Sequence, residues 1–247
     1  MSSTTPGPAR ATRRGAPPSL TERRKAETRM EIARAAARLF VRQGLRATRA
    51  EDIAQSAGIA PRTFYRYFAT KEEAIAPLYA AGAERWTTAV RDAPAELSLP
   101  QALEHAVRHT LTPGAGVSAA SWEWVRTLIR LAQTSAPLRK VWAEVCHGSE
   151  QALAEALAGR AAAAARVAAR RDDNVADRAD RLAASPALRF AAATAGAAVR
   201  VAVERWAADD QPPDGPNGPM ALALANLNAL RSFPWDALTA PHPTKAG

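Results

Sequence analysis

Apolar residues in this chain recur at helical spacing from about Thr21 onward, and no segment sustains a period-two alternation of β-branched residues. The predicted fold is therefore all-α. A first helix runs from about Thr21 to Gln43, with Ile32, Ala36, Leu39 and Phe40 on one face. Gly44 then takes the left-handed stop position, and Leu45 folds back onto Phe40 in a Schellman-type ending. Thr48 and Glu51 form a Thr-x-x-Glu capping box that opens a second helix. Ala60 precedes Pro61 and is pushed to an extended conformation, while Pro61 fits a first helical turn, where no amide donor is needed. Thr70 and Glu73 form another capping box, starting a fourth helix that continues to about Arg91.

Further along, helical patterns alternate with breakers, predicting helices near 99–112, 118–134, 136–158, 186–208 and 218–232. Pro100, Pro137 and Pro186 fall in their first turns. Residues 159–184 are alanine-rich and then heavily charged: either a helical extension with ion pairs or a mobile surface insertion. Gln211 to Pro219 reads as a Pro/Gly loop. The organisation that follows is a disordered basic tail (1–19), a helix-turn-helix head (20–75), a helical body (76–233) and a flexible tail (234–247).

Residues 48–71, TRAEDIAQSAGIAPRTFYRYFATK, carry the most chemistry. Ile53, Ala54, Gly58, Ile59 and Phe64 stand where two short helices crossing at a tight turn need small or apolar side chains. Gly58 sits where that turn needs a positive φ, which glycine adopts cheaply. Arg62, Thr63, Tyr65 and Arg66 are left pointing away from the seam, and a basic, polar and aromatic outer face suits a DNA major groove.

Charge sharpens this reading. Residues 1–75 hold 15 Lys/Arg against 7 Asp/Glu, whereas the remaining residues hold 18 against 17, so nearly all of the net +9 lies in the head and its tail. Such asymmetry is the footprint of a phosphate-binding surface. The candidate DNA contacts are Thr48, Arg49, Pro61, Arg62, Thr63, Tyr65, Arg66 and Lys71. Arg62 or Arg66 can donate two hydrogen bonds to a guanine edge, and Thr63 can meet a thymine methyl or a phosphate. Tyr65 offers a hydroxyl at phosphate height, Thr48 and Lys71 are placed at helix starts for backbone phosphates, and Phe64 and Phe68 fill the head's own core. Arg10, Arg13 and Arg14 of the tail either brush a minor groove or remain solvated.

Other classes fit less well. One cysteine forms no internal disulfide, the N-terminus lacks the apolar run of a secretory signal, and no uncharged stretch approaches a membrane span, so a cytoplasmic, nucleoid-associated protein is expected. Cys146 and His147 are helix neighbours pointing about 100° apart and cannot pair as nucleophile and base. His105 and His109 have metal-ligand spacing but no evident third ligand. There is no phosphate-cradling glycine loop or carboxylate pair, so neither an enzyme nor a cofactor is expected.

The stretch from Arg29 to Ile75 closely resembles the DNA-binding head of the TetR family of bacterial transcriptional regulators. The resemblance rests on Ala35, Leu39, Phe40, Gly44, Thr48, Ile53, Ala54, Ala57, Gly58, Thr63, Tyr65, Tyr67, Phe68 and Lys71. The family typically has Ser where this chain has Ala60, often Pro at Ala69 and commonly His at Arg66, which points to an individual operator sequence. The resemblance implies an all-helical homodimer whose two heads read an inverted repeat, with a ligand-controlled body and, commonly, repression. Residues 186–207 are apolar around most of their circumference, as a helix buried on more than one side must be. With 219–230 they would suit a symmetric four-helix interface through Ala191, Ala195, Ala198, Ala202, Leu224 and Leu227; a central core helix of a monomer is the alternative.

Trp122, Val125, Leu128 and Ile129 form one apolar stripe of the body and Trp142 and Val145 belong to the next. With Trp86 they are core positions or the wall of an apolar ligand pocket, and Arg126 and Arg130 at its border meet either an anionic ligand group or solvent. The segment from Val125 to Gly159 also loosely resembles a subset of actinobacterial TetR-type regulators, some of which respond to acyl-coenzyme A thioesters, so the effector implied is an acyl-CoA or another apolar metabolite. The expected partners are thus an operator duplex, a small effector and a second copy of the chain, with no membrane. Rival readings are a non-specific architectural DNA binder and an activator or adaptor without a small-molecule ligand.

Overall fold

The computed structural model describes residues 19–114, 119–169 and 181–235. They form helices and their connections, with no strand among the described residues. The head is built from α1 (Leu20–Gln43), α2 (Ala50–Ser56) and α3 (Pro61–Tyr67), followed by a 3₁₀ turn, Glu73–Ile75. The body comprises α4 (Ala76–Asp92), α5 (Leu99–Leu111), α6 (Ala119–Thr134), α7 (Ala136–Ala169), α8 (Pro186–Ala208) and α9 (Pro219–Asn228).

Helix starts follow local chemistry, with two departures from the sequence pattern. A capping box opens α1: the Ser19 hydroxyl accepts from the Glu22 amide (3.2 Å) and the Glu22 carboxylate accepts from the Ser19 amide (2.7 Å). Ser19 is thus part of the head and not of a loose tail. The box expected of Thr48 and Glu51 does not form. Thr48 is buried and its hydroxyl donates back to the Gly44 carbonyl (2.8 Å), so α2 begins one residue later, and Asp52 accepts from the Arg49 amide (2.9 Å). The fourth helix is likewise divided. The Thr70 hydroxyl accepts from the Glu73 amide (3.2 Å), but only a 3₁₀ turn follows before α4 starts at Ala76. Pro77 explains the break, because it has no N–H to continue the ladder and tolerates only a first turn.

The helix-turn-helix corner is a full Schellman ending. The Ile59 amide donates to Ala54 (3.0 Å) and the Gly58 amide to Gln55 (3.1 Å), with Gly58 at φ +70°. At the end of α1, Gly44 instead adopts φ 83° and ψ 158°, a region open essentially to glycine alone and not the left-handed helical one. Its amide still closes the helix on Phe40, and Leu45 packs into the head core.

One apolar cluster fills the head and runs on into the body. It joins Ile32, Phe40, Ile53, Phe64, Phe68 and Ile75 to Tyr79 of α4, Leu128 of α6 and Leu138 and Val141 of α7. A second cluster packs α4, α5, α7, α8 and α9 together through Trp86, Val90, Leu103, Leu157, Leu188 and Ala195. Trp235 belongs to it: its indole donates to the Leu230 carbonyl (3.1 Å), so the loose tail expected from Pro234 does not begin there. Of the 159–184 segment, residues up to Ala169 continue α7 as a helical extension, and 170–180 lie outside the described residues. By length and composition α8 is apolar enough to cross a membrane, the one such helix among the described residues. Here one side of it packs against α7, α9 and α6, and the rest is partly or fully exposed.

Candidate nucleic-acid interface and body cavity

α3 has two distinct sides because its apolar residues are few and aligned. Phe64 is fully buried against Phe68 (ring centroids 5.8 Å) and the α2 seam, which turns Pro61, Arg62, Tyr65 and Arg66 out to solvent. Thr63 is half-buried beside them, and Arg49 is exposed at the start of α2. Six of the eight sequence-derived contacts are therefore presented on the head's outer surface. Tyr65 is 53% exposed and its hydroxyl donates to the Glu51 carboxylate (3.3 Å), whose charge holds the phenol above its ordinary range.

Thr48 and Lys71 stand differently. The Thr48 hydroxyl is enclosed and bonded to Gly44, which removes it from any phosphate. The Lys71 ammonium donates to the carbonyls of Leu45 (2.7 Å) and Thr48 (2.8 Å), two of its three donors. It ties the segment after α3 to the turn after α1 and positions the recognition helix. Arg29 of α1 also holds the end of α3, with no local sign of it in the sequence. Its guanidinium donates to the Tyr67 carbonyl (2.9 Å) at the end of α3 and lies over the Phe68 ring at 4.5 Å. Those contacts cross 38 residues, a pairing without a local signature.

In the body, seven of the eight side chains proposed for a pocket line one cavity of about 200 Å³: Trp86, Trp122, Val125, Leu128, Ile129, Trp142 and Val145. α5 and α8 complete the wall with Leu111, Val199 and Val203, and Tyr79 and Gly82 of α4 face it from the head side. Arg126 is the exception. It is buried under the cavity's far end, stacked over Trp206 at 4.4 Å, with its guanidinium donating to Glu123 (3.1 Å) and to the carbonyl of Gln211. Arg130 likewise donates to the carbonyls of Ala207 and Asp209 and to Asp210 (2.7 Å), holding the Asp210 carboxyl below its usual range. Both arginines close the C-terminal end of α8, where unpaired carbonyls attract cations. Cys146 also lines the cavity, and burial pushes its thiol up to about 12.

The surface assigned to a symmetric interface needs correction. Ala191, Ala195, Ala202 and Leu227 are buried within the chain's own body core, where the small residues let neighbouring helices approach. They are unavailable to a partner. Ala198 and Leu224 are half-buried, and the outward side of α8 instead presents Phe190 (62% exposed) and Val201 (48% exposed). His105 and His109 stack on the surface of α5 with ring centroids 6.4 Å apart. Among the described residues no group of three or more His, Cys, Asp or Glu is placed to hold a metal ion.

A capped helix-turn-helix with a basic outer helix, set on an all-helical body with an apolar cavity, defines the class of one-chain, two-module helix-turn-helix proteins. Residues 32–75 match the family model described as bacterial regulatory proteins, tetR family. The chain is 39% identical over 95 residues to the HTH-type transcriptional regulator TcmR of Streptomyces glaucescens, a match spanning 38% of this chain and 42% of that protein's length. Solved structures resembling it include FadR of Thermus thermophilus, a TetR-family repressor in complex with lauroyl-CoA (21% identity, TM-score 0.48, covering 89% of this chain and 98% of that one). Another is Salmonella enterica GusR (17% identity, TM-score 0.47, covering 86% and 94%). The family match covers residues 32–75, so the likeness to the tetR family of bacterial regulatory proteins holds for the helix-turn-helix head.

Proposed function

We propose that this protein is a transcriptional repressor that binds an inverted-repeat operator as a homodimer and leaves it when a small, largely apolar molecule enters the body. The observation that carries the reading is the division of α3: Phe64 and Phe68 lock one side into the head, which leaves Arg62, Tyr65 and Arg66 as a rigid outward set beside Arg49. Fixed backbone beneath exposed guanidinium groups is what base-edge recognition requires. A second copy supplies the second half-site, with recognition helices about 34–36 Å apart on successive major grooves. The outward side of α8, with Phe190 and Val201, together with half-buried Leu224 of α9, is the surface for that pairing.

The route from body to head runs through α4. Tyr79 is buried, donates its hydroxyl to the Leu128 carbonyl of α6 (2.8 Å) and meets Trp142 edge-on at 5.0 Å, so it belongs both to the cavity wall and to the apolar cluster that fills the head. A molecule that displaces α6 or Trp142 acts on Tyr79 and hence on the spacing of the heads. A coupling of about 1–3 kcal/mol changes operator affinity about five- to 150-fold. The test is titration of the purified protein onto DNA from beside its own gene, with excess random competitor and varied salt. Competitor-resistant binding with a two-fold footprint is the expected result. Equal loss of binding on every sequence would replace this reading with a non-specific DNA binder.

A further inference from the structure

The cavity carries a chemical signature beyond being apolar. Trp86 on α4 and Trp122 on α6 both stand in its wall, both are more than nine-tenths buried, and the indole N–H of each has no acceptor among the described residues. Three other tryptophans show what this chain does with such donors elsewhere. Trp142 donates to Glu204 (2.6 Å), Trp206 to the carbonyls of Gln211 and Pro212 (3.1 and 3.2 Å), and Trp235 to Leu230 (3.1 Å). A buried donor is normally matched, and an unmatched one is a cost that a bound acceptor removes. Both unmatched donors belong to rings on the cavity wall.

We propose, resting on the effector reading above, that the ligand is an uncharged, flat aromatic molecule of about two fused rings carrying acceptor oxygens, an aromatic ketone or lactone, with its oxygens accepting from the Trp86 and Trp122 indoles. Size comes from the cavity: about 200 Å³ here, against about 150 Å³ for an apolar cavity that takes up benzene. Shape comes from the aromatic wall, where Trp86, Trp122, Trp142 and Tyr79 offer ring faces and edges to a planar guest. Neutrality comes from the charges. Arg200, the cation of α8 on the wall, pairs with Glu204 (3.5 Å), Glu150 stands opposite in sign beside it, and Arg85 is exposed at the rim. Among the described residues that line the cavity, no unpaired buried cation is therefore left for a carboxylate or phosphate. A fatty acyl chain would fill such a space but has no oxygen along its length for two donors on separate helices.

The test is calorimetric titration of the full chain with three probes: chromone, naphthalene as the flat hydrocarbon of matching size, and dodecanoate. Operator affinity is followed in parallel. The expected result is chromone binding at least tenfold tighter than naphthalene. Trp86→Phe and Trp122→Phe each lower chromone affinity about tenfold and leave naphthalene affinity unchanged. In the wild-type chain, which needs no variant to fold, two of the six indole ¹H–¹⁵N resonances shift downfield with chromone and not with naphthalene. Equal affinities for chromone and naphthalene, or indole resonances that do not respond to chromone, overturn the proposal. If dodecanoate alone binds and weakens operator binding, the effector reading stands and this inference falls. If no probe binds and operator affinity never changes, both fall.

Discussion

At the scale of single residues, the recognition set makes a sharp prediction. Arg62 and Arg66 are both exposed on α3, with the Arg66 guanidinium 5.6 Å over the ring of its neighbour Tyr67. Replacing either by Ala should leave thermal stability unchanged and cost about 1–3 kcal/mol of operator binding where it reads a guanine. Titration against a panel of single-base operator variants checks this: loss of discrimination at one base step is the expected outcome, and a uniform loss would make the residue a phosphate contact. Cys146 gives a pH prediction. Burial is the main cause of its raised thiol value, about 12, so at neutral pH almost none is thiolate. Its alkylation by iodoacetamide in the folded chain should be slower than that of a free thiol by on the order of a hundredfold, accelerating as pH rises. The sign for stability follows. The unfolded thiol ionises first, so this group's contribution is complete below its ordinary value and is lost as pH climbs toward 12.

Elements in this fold are ended and joined by a few residues whose backbone tolerates nothing else. Gly58 turns the corner between α2 and α3 at φ +70°, where a Cβ would meet open space but the conformation itself is strained. Gly58→Ala should destabilise the head by about 1–2 kcal/mol. Gly218, at the start of α9, fails for the opposite reason: its φ is ordinary, −73°, but a Cβ there would lie 2.4 Å from the Pro213 carbonyl oxygen. Gly218→Ala must therefore shift the 211–218 loop, whose Gln211 carbonyl accepts from both Arg126 and Trp206. Thermal denaturation of the two variants, with operator binding as second readout, separates the effects. Gly58→Ala should lower both stability and DNA affinity, and Gly218→Ala should lower body stability while leaving a folded head.

For the whole molecule, the exposed apolar side of α8 is the feature a monomer does not explain. Phe190→Asp and Val201→Asp place charges on that surface without entering the body core, since both side chains are largely exposed. Sedimentation should then show a shift from dimer toward monomer, and operator affinity should fall by more than tenfold because one head must bind alone. A dimer that persists in both variants would move the interface elsewhere. Continuity of the head cluster through Tyr79 to Leu128 gives this scale its mechanical content: head and body share packed side chains, not merely a linker.

Local chemistry was legible in the sequence wherever neighbours along the chain decide the outcome. The 3.6-residue spacing, the Gly58 turn, Pro61 at a helix start and the buried Phe64 opposite Arg62 and Arg66 all follow from intrinsic geometry within one or two turns. So does the set of apolar stripes that line the cavity, because a stripe needs something to face. What the stripes face was not legible. Ala191, Ala195 and Ala202 read as equally fit for a partner or for their own core, and only packing against α7 chose the core. Thr48 and Lys71 carry groups suited to phosphate, and the fold turned both onto carbonyls of the turn after α1. Arg126 reads as a ligand contact until the end of α8, 80 residues further on, arrives beside it. Helices, turns and the outward recognition set are thus determined by the sequence itself. The partner of each polar group, and with it the two unmatched indoles of the cavity, is decided only by tertiary structure, because a donor's acceptor is a fact about distance in space and not along the chain.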